Sequence, residues 1–86
     1  MPNDFVAIDV ETANADVASI CQVGIVTFVD GRAVETWQSL LNPDDEFDPI
    51  NVGIHGIDET MIREAPRFPG VAPHIRRSLE GRTVVS

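Results

Sequence analysis

The sequence predicts an α/β fold on a mixed sheet: an antiparallel meander of three strands, a helical crossover, and the start of a fourth, parallel strand. Three observations predict it. Apolar, β-branched runs follow one another at Phe5–Glu11, Ile20–Val29 and Arg32–Leu41. Asp30-Gly31 lies between the last two, and Asp-Gly in such a place is the strongest short hairpin signal, because a type I′ turn needs positive φ twice. An amphipathic stretch near Pro69–Leu79 then precedes Thr83-Val84-Val85, and a strand reached through a helix is suited to lie parallel in the same sheet.

Each element has a local reason. Phe5-Val-Ala-Ile-Asp-Val-Glu11 is short, apolar and bounded by Asn3-Asp4 and by Thr12-Ala13-Asn14. Residues 13–18 are small or polar and read as a loop or one loose turn. Gly24 in the second strand marks a weak point or a close backbone approach. Asn42–Pro49 is a loop, with proline at both flanks and four carboxylates inside. Asp58 is placed to cap a short helix running through Arg63 and stopped by Ala65-Pro66. The next helix puts Val71, Ile75 and Leu79 on one stripe, Pro73 in or near its first turn and Gly81 just past its end. The sheet is expected to be incomplete within the 86 residues.

Composition narrows the function classes. An apolar fraction of 43% excludes a disordered chain. No apolar run approaches the ~20 residues that cross a bilayer, and Met1-Pro2-Asn3-Asp4 lacks the cationic start of a signal peptide. One cysteine, Cys21, cannot form an internal disulfide, so a cytoplasmic location is expected. Net charge is −8 with no lysine, which argues against simple electrostatic capture of nucleic acid. The charge is uneven, with twelve acids and one arginine in residues 1–62 against two acids and five arginines in residues 63–86. Carboxylates that hold divalent metal reverse the local sign and can still meet phosphate.

The chemistry concentrates in Asp9-Val10-Glu11-Thr12. Strand residues two apart share a face, so Asp9 and Glu11 project together while Val6, Ile8 and Val10 pack opposite. Two ionised carboxylates side by side repel unless something positive lies between them. A pair of divalent ions would serve, and such pairs hydrolyse phosphodiesters by activating water and steadying the leaving oxygen. A strand end emerging into solvent with two hydrated acids has the same pattern. The acids of the 44–48 loop lack the EF-hand spacing and read as solvated. Arg76, Arg77 and Arg82 read as an exposed surface, Trp37 as a packing residue, Cys21 as a buried thiol, and His74 carries no chemistry.

The order Asp9-x-Glu11-Thr12, Ile20-Cys-Gln-Val-Gly-Ile-Val26, Ile54-His55-Gly56-Ile57 and Ala65-Pro66-x-Phe68 resembles the DEDD-type 3′→5′ exonucleases of the polymerase III epsilon-subunit and ribonuclease T group. The resemblance spans Phe5 to Ser86 and implies a ribonuclease H-like fold. It implies that Asp9 and Glu11 are catalytic metal ligands for two Mg²⁺ or Mn²⁺ ions in the complete domain. Thr12 and His55 would line the pocket of the terminal nucleotide, with the general-base histidine elsewhere. The implied partner is a single-stranded 3′ end of DNA or RNA, with polymerase subunits as further candidates and roles in DNA replication or repair.

Only two of the family's four metal-binding acids fall within the chain. Residues 1–86 are therefore expected to be the N-terminal portion of one exonuclease domain, inactive alone and able to self-associate. Ala13-Asn14 replaces a frequent Thr-Gly, and Ile50 stands where some relatives carry an acid. The rival expectation is a non-catalytic nuclease-fold module serving protein–protein contact through an open sheet edge.

Overall fold

The structure, a computed structural model, describes residues 3–86, so Met1 and Pro2, at the start read above for a signal peptide, lie outside the described residues. Strands β1 (Phe5–Thr12), β2 (Ile20–Val29) and β3 (Arg32–Leu40) are followed by helices α1 (Pro49–His55), α2 (Glu59–Ile62) and α3 (Phe68–Leu79), and then by β4 (Val84–Val85). The four-stranded sheet has the order β3-β2-β1-β4. β1–β2 and β2–β3 are antiparallel, while β4 runs parallel to β1. This is the mixed sheet that the sequence predicts.

The hairpin turn forms as its chemistry requires, with Asp30 at φ 52° and Gly31 at φ 75°. The chain just before β1 closes over it: Gly31 N–H donates to the Asn3 carbonyl and Asp30 N–H to Asp4 Oδ1, each at 2.9 Å. Two bulges interrupt the ladders. Thr27 pairs with Glu35 and Phe28 with Ala33, which leaves Val34 over in β3. Glu11 pairs with Gln22 but Thr12 with Ile20, so Cys21 is the extra residue in β2. The Cys21 carbonyl turns to the other side and accepts from Leu41 N–H at 2.8 Å.

α3 covers one face of the sheet. Ile75 joins Val6, Val23, Ile25 and Leu41 in the main core, with Val71 and Leu79 packed beside it, which is the expected stripe. A second core of Cys21, Ile57 and Ile62 lies where β1 finishes, closed by Leu40, Phe47 and Ala65. Gly81, at φ 71°, follows the last turn of α3 as anticipated. No helix among the described residues is long and apolar enough to cross a membrane.

Three local expectations need correction. Residues 50–55 carry no helix in the sequence reading, yet α1 forms there. Asp48 caps it by accepting from Ile50 N–H, Pro49 opens it, and Gly56 ends it at φ 75°. The helix escapes an apolar-stripe search because it buries no residue, Ile50 and Ile54 being 72% and 77% exposed. Pro73 lies inside α3 rather than in its first turn, because the helix starts at Phe68. Val10 does not pack like Val6; it is 42% exposed, and among the described residues no strand pairs with the β4 edge of β1 beyond Val6 and Ala7. Residues 13–18 form a loop, as expected, and with Ser19 it is held tightly. Ala13 and Ser19 are fully buried there, and Ala13 N–H donates to the Ser19 carbonyl at 2.8 Å.

Candidate active site

Asp9 and Glu11 stand two apart near the end of β1, opposite Gly24 and Gln22 respectively. They therefore share the sheet face turned away from α3. Gly24 is not a point of close approach: a Cβ there would meet Gln38 Cβ at 4.0 Å, an ordinary contact. Its bare backbone instead helps to open a depression of about 410 Å³ beside Asp9, lined also by Ala7, Val26, Thr36 and Gln38.

Asp9 Oδ1 accepts from Val10 N–H at 3.0 Å, and neither carboxylate has a basic partner among the described residues. Among the described residues the ion pair present is Arg67–Asp44, at 3.3 Å on the surface. A roomier notch of about 470 Å³ lies in that region, between the 42–47 loop and α2. Its acids are mostly exposed loop carboxylates, and it holds neither member of the Asp9–Glu11 pair.

Thr12 is fastened from α1. His55 Nδ1 accepts from Ile57 N–H at 3.0 Å, and His55 Nε2 lies 2.9 Å from the Thr12 carbonyl. An amide can only donate and a carbonyl only accept, so a neutral ring with its proton on Nε2 satisfies both bonds. Both ring nitrogens are thus engaged with backbone, and no lone pair is free to take a proton from water. Asn51, one turn earlier, donates to the same Thr12 carbonyl at 3.1 Å. Asn51 has no place in the sequence reading. Its i, i+4 spacing to His55 is the signal, and it becomes visible only once α1 is recognised as a helix.

The loop after Thr12 is tied down as well. Asn14 Nδ2 donates to the Glu46 carbonyl at 2.8 Å, and Asp48 N–H donates to the Ala13 carbonyl at 2.8 Å. Burial pushes the Cys21 thiol above its ordinary pKa, and the negative charge of Glu11 adds to the effect. Trp37 packs against the main core with its ring 4.4 Å from that of His74, which agrees with a structural role for both.

The carboxylate pair suits a hard divalent cation: oxygen donors, one face, and no competing cation among the described residues. It is also incomplete, because no cluster of three or more His, Cys, Asp or Glu side chains able to hold a metal occurs among the described residues. The profile of the exonuclease family, of ribonuclease T type, matches residues 6–86. The chain belongs to that family.

Its members include the DEDDh 3′→5′ exonucleases, which use divalent metal ions. Among exonuclease-family relatives, exodeoxyribonuclease 10 of Escherichia coli is 33% identical over 67 residues, which cover 78% of this chain and 30% of that protein. A DNA polymerase III subunit epsilon-like protein of Rhodobacter capsulatus is 31% identical over 87 residues, covering 95% of this chain and 12% of the relative. A solved exonuclease X in complex with 5′ overhanging duplex DNA superposes with a TM-score of 0.77 at 28% identity, over 87% of this chain and 53% of that one. The ribonuclease H-like exonuclease fold is thereby shown. The chain spans about half of the solved relative and less than a third of the curated ones.

Proposed function

We propose that residues 1–86 form the N-terminal portion of one 3′→5′ exonuclease domain and supply Asp9 and Glu11 to its metal site. The observation that carries this reading is the pair of same-face carboxylates, without a basic partner among the described residues, at the end of β1 in a chain of this family. Asp9 and Glu11 would hold the Mg²⁺ or Mn²⁺. When bound, such ions activate water and stabilise the leaving oxygen of a phosphodiester.

The chain's own residues do the rest of the positioning. Thr12, fixed through its carbonyl, stands at the strand end next to the acidic face. His55 would meet the terminal nucleotide with its ring face, since its nitrogens are occupied. The partner is a single-stranded 3′ end of DNA or RNA, and the base that deprotonates water lies outside the residues named here.

Calorimetric titration of Mn²⁺ into the wild-type chain and Asp9→Ala tests the reading. Weak binding by the wild type and none by the variant is expected, together with negligible turnover of a 5′-labelled single strand by the 86-residue chain. Equal heats from both proteins would remove the metal site, and with it the proposed mechanism.

A further inference from the structure

Two side chains of one helix converge on a single backbone atom at the end of β1. Asn51 Nδ2 donates to the Thr12 carbonyl at 3.1 Å and lies 3.4 Å from Thr12 Oγ1, while His55 Nε2 donates to that carbonyl at 2.9 Å. Residues four apart on a helix share a face, so α1 presents a two-pronged donor. The carbonyl it grips belongs to the residue where the ladder slips from Glu11↔Gln22 to Thr12↔Ile20. The extra residue, Cys21, belongs to β2, so the ladder continues in register only on the N-terminal side of Glu11, and past Glu11 the end of β1 is held through the bulged pairing of Thr12. α1 buries no residue and is not held by core packing of its own. Its tie to β1 is polar.

We propose that Asn51 is a positioning residue. With His55 it clamps the end of β1 across the bulge and so fixes the aim of Glu11. The link from that aim to cation binding rests on the functional reading above; the clamp itself does not. In this role Asn51 acts through Thr12, to which its Nδ2 is bonded, and not on metal or substrate.

The test uses Asn51→Leu, which keeps the side-chain shape and removes the donor, and Asn51→Gln, which restores a donor on a longer arm. Two quantities are read on the whole chain: amide exchange at Ala13, whose N–H bonds the Ser19 carbonyl next to the bulge, and the affinity for Mn²⁺ alone. A retained Nε2–H signal from His55 in ¹⁵N spectra confirms that α1 is still docked. Loss of one net hydrogen bond corresponds to about fivefold. Asn51→Leu is expected to speed Ala13 exchange and weaken Mn²⁺ binding by about that factor, with Asn51→Gln recovering most of both.

Unchanged exchange in Asn51→Leu overturns the clamp. Faster exchange with unchanged Mn²⁺ affinity overturns its reach to Glu11. If the wild type takes up no Mn²⁺ while exchange still responds, the clamp is supported and the metal reading of Asp9 and Glu11 fails.

Discussion

Gly56 shows what one residue does at the boundary between α1 and the second core. Its φ of 75° lies in the left-handed region, yet a Cβ there would meet nothing within 4 Å. Gly56→Ala should therefore act through the backbone alone and lower stability by ~1 kcal/mol in urea denaturation. Two residues on, Asp58 Oδ1 accepts from Thr60 N–H at 3.0 Å and Met61 N–H at 3.1 Å. Asp58→Ala strips this cap from α2 and should cost ~1 kcal/mol, whereas Asp58→Asn should largely keep it. Cys21 adds a dependence on alkalinity. Its thiol holds its proton more firmly in the folded chain than its ordinary value of 9.0 implies. This contribution is intact below pH 9.0 and is lost as pH climbs through the raised folded value. Cys21→Ala should flatten that decline in stability measured from pH 8 to pH 10.

Among the elements, α3 makes the clearest case. Ile75 is 8% exposed and contacts the main core, so Ile75→Ala should cost roughly 2–4 kcal/mol. That is a large part of the ~4–13 kcal/mol available to a chain of this length, and thermal melting should show a much lower or lost transition. Pro73 works the other way. It has no N–H to give the Pro69 carbonyl one turn back, so Pro73→Ala should raise stability by ~1–3 kcal/mol. The stripe of α3 was legible because Val71, Ile75 and Leu79 repeat at the helical period. The meander was legible because β-branched runs flank Asp30-Gly31. α1 was not, since a helix that buries nothing has no periodic signal to show, although Asp48-Pro49 and Gly56 mark both its ends. The bulge at Cys21 was hidden for a different reason: Ile20, Cys21 and Val23 are all apolar, so the pattern tolerates either register. Asp9 and Glu11 were placed on one face from period two alone, but Asn51 needed the fold.

At the scale of the molecule the chain is longer and more exposed than its mass suggests. Its extents are 41 × 24 × 19 Å and its radius of gyration is 14.0 Å, against about 12 Å for a compact chain of this length. Its surface is 5859 Å², whereas a monomer of this mass shows about 5,000 Å². The difference is close to the ~800 Å² that one partner contributes to a standard interface. The sheet face without a helix carries an apolar patch of partly buried side chains, with Phe5 and Phe28 stacked at 4.6 Å beside Ala7 and Val26. Sedimentation at several concentrations should reveal self-association of the 86-residue chain. Val26→Glu, on the open face, should abolish it without touching the α3 core. A monomer at every concentration would show that this face tolerates water.

The lone thiol makes the bulge a clock. Cys21 is fully buried, packed with Ile57 and Ile62, and its proton is held tightly. A disulfide reagent reacts with thiolate, so in the closed state it finds neither access nor the reactive form. The labelling rate then reports how often the second core parts from the strand end, an opening that can be far more frequent than global unfolding. At low reagent the rate follows the population of the opened state, and at high reagent it levels off at the opening rate itself. The unmodified chain can therefore be timed at the place where α1, α2 and the acidic strand end come together, with no probe added to it.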